Sequence, residues 1–264
     1  MAKVLFLPKR GFPWAQIQWV RGAVSRLGDF CHRLLGRPAS EDFDDMTPIF
    51  RSGTSQRART SKQEIVIAVD LGFSKRAKSC GLAWRKAGTV DAKSLRYGEC
   101  IATVGGLLSQ VSSADLILEA PLSGFFSESG DPIERGNFER KSAVAERAGQ
   151  ARYWYTGPGA ATCLAAVFFL RRLKADLAAP AAPGQSPLTV TLYEGFITFK
   201  TGRSRHDHDA RRMLECFQDA EEVVDVSLPP GSTAITVLDV VLASGAREPP
   251  PAIVIPRGPV KEAV

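Results

Sequence analysis

The apolar run at residues 64–71 constrains the fold more than any other part of the chain. It is rich in β-branched residues, opens with polar residues and closes at Gly72, a pattern typical of a buried strand. Asp70 stands at the carboxyl end of this run, where a strand can present one carboxylate to a cleft. An ionised Asp is costly to bury unless it is paired or binds a metal. The run therefore predicts a strand that ends either in an ordinary turn or in a functional site.

Two further strand-like runs follow closely, at residues 79–84 and 95–103. The turn-forming residues 86–89 lie between them, so three consecutive strands with short connections are predicted. Short connections join antiparallel neighbours, which predicts a meander at the start of the domain. A short amphipathic helix is predicted over residues 106–111.

The second half of the domain predicts two more strands, each with an acidic residue. Residues 115–121 are a buried strand pattern with Glu119 near its end, and residues 188–199 are another with Glu194 in its middle. Strands interspersed with helices in this order predict an α/β domain over residues 64–246.

Two helices complete the predicted domain. Residues 156–177 are strongly apolar, and Pro158 suits a first helical turn, while a second helix begins near His206. The polar residues at about 122–152 predict a flexible insert before the first of these helices. Residues 232–244 fit a helix or a strand equally well.

Segments at both ends lie outside the predicted domain. Residues 14–35 carry apolar side chains at three- and four-residue steps, which predicts a basic amphipathic helix. Such a helix either packs on its own domain or docks on a partner protein, a nucleic-acid backbone or an anionic membrane surface. Residues 39–63 show no period and predict a linker, and residues 247–264 predict a Pro-rich surface tail.

The basic excess of the chain is local. Its net charge is +6, and residues 1–63 alone hold 11 Lys and Arg against 5 Asp and Glu. The remainder therefore balances to zero, so affinity for phosphates is expected to come from residues 1–63 or from a partner protein.

Cysteine usage and hydropathy predict the compartment. The five cysteines form no C-x-x-C pair, which argues against a disulfide framework or a zinc site and fits a reducing compartment. The longest apolar run, at residues 160–170, is shorter than the roughly 20 residues that span a bilayer. The first ten residues lack the pattern of a secretory signal, so a cytoplasmic protein without a transmembrane segment is expected.

Acidic residues also open the last predicted helix, in the sequence His206-Asp207-His208-Asp209. On a helix, His206 and Asp209 lie on one face, so both can face the same cleft as Asp70 and Glu119. The alternative is an ordinary first turn, where acids are favoured by the helix dipole.

Three carboxylates that converge without opposite charges repel one another, so a cation is expected between them. Mg²⁺ and Mn²⁺ prefer oxygen ligands and retain several waters. Two such ions about 3.5–4 Å apart can activate a water and stabilise the leaving oxygen in phosphodiester cleavage.

Three motifs in this order resemble the ribonuclease H-like superfamily: Ile-Ala-Val-Asp70-Leu-Gly, Leu-Ile-Leu-Glu119-Ala-Pro and His206-x-x-Asp209-Ala. The match is closest to RuvC-type resolvases and to related predicted nucleases, and it covers roughly residues 64–220. The resemblance implies a ribonuclease H-like mixed sheet flanked by helices, and metal-dependent hydrolysis of nucleic acid.

The resemblance also implies a site. Asp70 would bridge two Mg²⁺ or Mn²⁺ ions, and Glu119 and Asp209 would each hold one. The fourth contributor would be Asp207, as a further metal ligand, or His206, which could bind metal or assist catalysis by moving protons.

The resemblance leaves other residues with open roles. Glu194 is similar to a Glu on the fifth strand of the predicted nucleases, where a site role and a structural hydrogen-bonding role are both open. Nucleic acid is the implied partner, and six basic residues are candidate contacts with its backbone: Arg21, Arg26, Arg33, Arg135, Arg140 and Lys141.

Two other functions fit parts of the sequence. Asp70-Leu-Gly-Phe-Ser also resembles the first phosphate loop of actin-like ATPases, but the sequence has no second Asp-x-Gly strand as the duplicated fold of those enzymes requires. A non-catalytic binding or scaffold module with the same fold is the second alternative, and the neutral charge balance after residue 63 favours it.

Overall fold

The computed structural model describes residues 47–72, 74, 77–136, 158–178, 187–197, 205–219, 222–242 and 249–256. The predicted helix at residues 14–35 lies outside these residues. So do five of the proposed nucleic-acid contacts: Arg21, Arg26, Arg33, Arg140 and Lys141.

Within those ranges the chain forms eleven strands and five helices. The strands are β1 (Ile49–Ser52), β2 (Ile65–Asp70), β3 (Cys80–Lys86), β4 (Thr89–Leu95), β5 (Ser113–Glu119), β6 (Ser123–Phe126), β7 (Pro132–Ile133), β8 (Thr189–Gly195), β9 (Val223–Val224), β10 (Thr233–Thr236) and β11 (Ile253–Val254). The helices are α1 (Ser55–Arg59), α2 (Tyr97–Leu108), α3 (Pro158–Leu177), α4 (His206–Cys216) and α5 (Val237–Leu242).

The main sheet has the strand order β4-β3-β2-β5-β8-β11-β9, and β1 also pairs with β8. Strands β2, β3 and β4 form an antiparallel meander, as predicted, but its third strand is Thr89–Leu95 instead of residues 95–103. Strand β5 is parallel to β2, and β8 is parallel to β5. Helices cover both faces of this sheet. The predicted α/β class with a mixed sheet flanked by helices is therefore confirmed.

Strand β2 is buried along its whole length, as its apolar sequence predicts. Its residues alternate between the two faces of the sheet. Val66 and Ala68 pack in the same cluster as the apolar side of α4, on what we call the α4 face. Ile67 and Val69 pack with α2, α3 and α5 on the opposite face. Asp70 follows Ala68 by two residues and so lies on the α4 face.

The turn between β3 and β4 lies where it was predicted. Ala87 and Gly88 both have positive φ, at 50° and 81°, as a two-residue hairpin with native twist requires. The predicted strand at residues 95–103 is wrong, because helix α2 occupies most of it. Cys100, Ile101 and Val104 are buried at helical spacing on one side of α2, so the β-branched composition of this stretch misled the prediction.

Helices α3 and α4 and strands β5 and β8 lie where the sequence predicts them. Residues 232–244, which fit either state, contain both: β10 ends at Thr236 and α5 begins at Val237. The described start of the insert after β5 contains β6 and β7, and β6 pairs with both β7 and β10 in a second, three-stranded sheet.

Two segments placed outside the domain are part of it. Residues 47–63, predicted as linker, supply β1 and α1, and β1 pairs in parallel with the first half of β8. The predicted surface position of the Pro-rich tail is wrong for Ile253 and Val254, which are fully buried and extend the sheet as β11. Both strands are short and depend on long-range pairing with β8, so they leave no local period in the sequence.

In the part of the chain that the structure describes, no helix is long and apolar enough to cross a membrane.

Candidate functional site

Four residues form a row across the α4 face, one from each of four neighbouring strands. Asp70 is the register partner of Glu119 on β5 and of Gly81 on β3, and Gly81 is the partner of Ser94 on β4. Register partners point to the same face of a sheet, so the carboxylates of Asp70 and Glu119 are lateral neighbours. Each residue is only 5% exposed. The sheet thus brings together two of the carboxylates predicted to share a site.

Helix α4 begins directly above this row because Gly81 has no side chain. A Cβ at Gly81 would lie 1.7 Å from the carbonyl oxygen of His206 and 2.8 Å from the backbone nitrogen of Asp207. No side chain fits into such a gap, so only glycine allows the first turn of α4 to rest on the sheet here.

His206 reaches from this first turn to Asp70. Its Nδ1 lies 2.6 Å from Oδ2 of Asp70. An ionised carboxylate only accepts hydrogen bonds, so Nδ1–H of the imidazole is the donor. The His206 side chain is 42% exposed and the Asp70 side chain is 7% exposed. The ring therefore stands between the carboxylate and solvent, and His206 faces the same cleft as Asp70.

Asp207 faces the other side of Gly81, towards β4. Its Oδ1 accepts a hydrogen bond of 2.9 Å from Oγ of Ser94, and Arg205 donates to both carboxylate oxygens from Nε and Nη2 at 3.2 and 2.8 Å. Burial by itself raises the pKa of Asp207, but the hydrogen bonds from Ser94 and Arg205 outweigh burial and hold the pKa below its ordinary value. Asp207 is thus ionised and held beside Ser94, rather than grouped with Asp70 and Glu119.

Asp209 lies one turn along α4 from His206, as the spacing of the motif predicts. It is 3% exposed, and its backbone N–H donates to the carbonyl of Arg205 at 3.1 Å. An acid in the first turn also interacts favourably with the helix dipole.

The donor atoms at this site suit a hard divalent cation. Asp70 and Glu119 offer carboxylate oxygens from adjacent strands, and Mg²⁺ and Mn²⁺ bind such oxygens while keeping several waters. As the side chains stand, the described ranges contain no group of three or more His, Cys, Asp or Glu residues arranged to hold a metal.

Glu194 does not join this site, because it lies on the opposite face of the sheet. Its register partner on β5 is Leu118, whose side chain belongs to the core beneath α2 and α3. Arg135 donates to both of its carboxylate oxygens at 2.7 and 2.8 Å, and the N–H of Leu122 donates to one of them at 2.8 Å. The sequence left open a site role and a structural hydrogen-bonding role for Glu194. Its geometry is that of the structural hydrogen-bonding role.

The same ion pair corrects the prediction for Arg135. The side chains of Arg135 and Glu194 are both fully buried, and Arg135 also donates to Oγ of Ser123 at 3.1 Å. A buried guanidinium held in this way cannot contact a phosphate backbone.

Sequence reasoning missed Gly81, Ser94 and Arg205. A glycine inside a strand pattern signals a close backbone approach, so Gly81 could have been found. Ser94 joins the site only through the register of two strand pairs, and that register leaves no local signal in the sequence.

In comparisons with protein-family models, with curated proteins and with solved structures, nothing matches this chain.

Proposed function

We propose that this chain is a ribonuclease H-like nuclease that hydrolyses phosphodiester bonds of nucleic acid with Mg²⁺ or Mn²⁺. The observation that carries the proposal is the pairing of Asp70 and Glu119 as buried lateral neighbours beneath the first turn of α4. Two buried carboxylates on one sheet face offer oxygen ligands from adjacent strands, which is the donor type that Mg²⁺ and Mn²⁺ prefer. The resemblance of the three sequence motifs supports the same reading.

Asp70, Glu119 and Asp209 are the residues that would hold the ions in this proposal. A bound divalent ion would activate a water and stabilise the leaving oxygen. The strands hold Asp70 and Glu119 on a rigid support, which limits the reorganisation that substrate binding requires.

His206 has a separate role as a proton carrier. Because its Nδ1–H is directed to Asp70, Nε2 is the ring atom that can accept a proton from an attacking water. The pairing with Asp70 also selects this tautomer and fixes the orientation of the ring.

The charge distribution supports an anionic substrate more directly than the sequence suggested. Residues 1–45 hold 7 Lys and Arg against 5 Asp and Glu, so most of the net charge of +6 belongs to the rest of the chain. The difference comes from the four basic residues at positions 46–63, which lie on or beside β1 and α1: Arg51, Arg57, Arg59 and Lys62. Phosphate contacts carry no base identity, so the substrate is assigned only as nucleic acid.

A nuclease assay on the purified full-length chain tests this function. Duplex, single-stranded and branched DNA and RNA should each be incubated with Mg²⁺ or Mn²⁺, and we expect cleavage of at least one form. Asp70→Asn should abolish this cleavage, whereas Asp91→Asn, on the exposed part of β4, should leave it intact. Wild-type protein that cleaves none of these forms in either metal would overturn the proposal.

One observation favours a non-catalytic binding module as the second candidate. His206 is bonded to Asp70, and no three-residue ligand set is formed by the side chains in the described ranges. A binding module of this kind would bind nucleic acid without metal-dependent turnover, and its Mn²⁺ affinity would not change in Asp70→Asn.

A further inference from the structure

The first turn of α4 is attached to the sheet on two sides of Gly81. His206 extends to Asp70 on β2, and Asp207 extends to Ser94 on β4. Consecutive residues of a helix point about 100° apart, so these two side chains diverge over the glycine. A rotation of the helix about its axis would move both contacts together. A contact that holds the Asp207 side chain in place therefore also fixes the direction in which the His206 side chain points.

These contacts with the sheet take the place of the side-chain N-cap that commonly stabilises the start of a helix. The residue before the helix, Arg205, accepts no side-chain hydrogen bond from the first turn, unlike the Ser, Thr, Asp or Asn that commonly caps a helix. Asp207 instead ties the turn to a neighbouring strand, through a partly buried hydrogen bond to Ser94.

Arg205 and Ser94 both donate hydrogen bonds to Asp207, but they differ in whether they fix the position of the helix relative to the sheet. The Arg205 side chain is 70% exposed and comes from the same turn, so its ion pair is screened by solvent and does not tie the helix to the sheet. Ser94 belongs to β4, whose position is set by seven register pairs with β3. The hydrogen bond from Ser94 is therefore the contact that fixes the position of α4 relative to the sheet.

We propose that Ser94 and Asp207 are positioning residues that hold His206 in register with Asp70, so that Asp207 acts as a structural support and not as a metal ligand. The catalytic consequence rests on the proposed nuclease function, because the orientation of His206 matters for turnover only if that site is active. The orientation of the His206 ring can be measured without any turnover.

Histidine ring NMR on the full-length chain tests the geometric claim. The chain has three histidines, and the His206→Gln spectrum assigns the signals of His206. In wild type we expect an Nδ1-bound ring proton of His206 with slowed solvent exchange. In Ser94→Ala and Asp207→Ala this exchange should quicken about fivefold or more, the factor that corresponds to the loss of one ordinary hydrogen bond. Thermal unfolding of each variant establishes that it is folded.

Matched variants separate positioning from general loosening. Ser94→Thr keeps the hydroxyl and should restore the slow exchange, while Asp91→Asn removes an exposed carboxylate from the same strand and should change nothing. If both Ser94→Ala and Asp207→Ala are folded and the ring-proton exchange is unchanged in each, the proposal is overturned.

Activity provides the second readout. If wild type cleaves nucleic acid, kcat should fall in Ser94→Ala with little change in KM, because substrate contacts remain. If wild type cleaves nothing, the nuclease function fails, yet the ring-proton result still decides whether Ser94 and Asp207 position His206. The two failures are thus distinguishable.

Discussion

The backbone of α4 lies so close to β3 at Gly81 that even a methyl group would collide with the carbonyl of His206. We predict that Gly81→Ala lowers the free energy of unfolding by about 1–3 kcal/mol, since the helix must move away from the sheet. It should also remove the contact between His206 and Asp70. Urea unfolding measures the first effect, and the His206 ring signal measures the second.

Gly98 provides the matched control for this substitution. It lies in the first turn of α2, and a Cβ there would meet nothing within 4 Å. Gly98→Ala should be neutral or stabilise the protein by roughly 0.5–1 kcal/mol, because alanine favours a helix. Equal losses of stability in both variants would contradict the close approach at Gly81.

Asp115 makes the stability of the protein depend on pH. It is fully buried and accepts a hydrogen bond from Ser61 Oγ. Burial raises the pKa of its carboxyl from 3.8 to about 6, although Ser61 and the nearby Arg57 and Arg51 act in the opposite direction. A raised pKa in the folded state means that folding favours the protonated acid. The contribution of this group to stability is therefore fully present below pH 3.8 and is lost as the pH rises through about 6.

Asp115→Asn should remove this dependence, because asparagine stays neutral. We predict that the stability of the variant relative to wild type increases by roughly 2–3 kcal/mol between pH 4 and pH 6.5. Urea unfolding at a series of pH values measures this difference. A difference between the two proteins that stays constant over that range would show that Asp115 is not buried as a raised-pKa acid.

Individual residues also show what the sequence could and could not predict about the site. The spacing of His206 and Asp209 is local, so their shared helix face was predictable. The alignment of Asp70 with Glu119 required β2 and β5 to be adjacent, and only the resemblance to the ribonuclease H-like superfamily implied that these two residues share a site. The contact of Asp207 with Ser94 required the register of three strands, and non-local register has no signature in a single sequence.

Among the elements, the start of the insert is held by a buried ion pair on the face opposite the site. Arg135, just beyond β7, binds both carboxylate oxygens of Glu194 on β8. We predict that Arg135→Ala lowers the free energy of unfolding by about 3–5 kcal/mol, because Glu194 is left as an uncompensated buried charge.

The exposed pair Arg211 and Glu215 on α4 is the control, with an Nε–Oε1 distance of 2.9 Å and both side chains more than half exposed. Arg211→Ala should cost only about 0.3–0.5 kcal/mol. Urea unfolding of the two variants compares them directly. Similar losses would mean that the ion pair of Arg135 is not desolvated.

The helices and strands that the sequence predicts correctly are those with a strong local pattern of apolar residues. Strands β2, β5 and β8 are long buried runs, and α3 and α4 have clear helical spacing, so all five were predicted. Residues 95–103, most of which lie in α2, were mistaken for a strand because Ile101 and Thr103 are β-branched. Short strands β1 and β11 were missed because they are stabilised by pairing with β8 rather than by their own sequence.

At the scale of the whole molecule, the boundary of the domain lies well before residue 64. Residues Met46–Val264 form one unit, in which Phe50 of β1 and Ala58 of α1 are buried. We predict that deletion of residues 1–45, which belong to a separate unit, changes the free energy of unfolding by less than about 1 kcal/mol. Deletion of residues 1–63 should cost about 3 kcal/mol or more, because it removes β1 and α1 from the core.

Urea unfolding of the two truncated proteins measures these effects. Equal stability of both would show that β1 and α1 are dispensable and would restore the linker interpretation of residues 47–63.

The central claim, that Asp70 and Glu119 hold a catalytic cation, is tested most directly by a crystal structure of the full chain with Mn²⁺. The anomalous signal of manganese locates the ion independently of activity. We predict a peak bonded to carboxylate oxygens of both Asp70 and Glu119, which disappears in crystals of Asp70→Asn. Well-ordered crystals soaked in millimolar Mn²⁺ that show no peak at these two carboxylates would contradict the account.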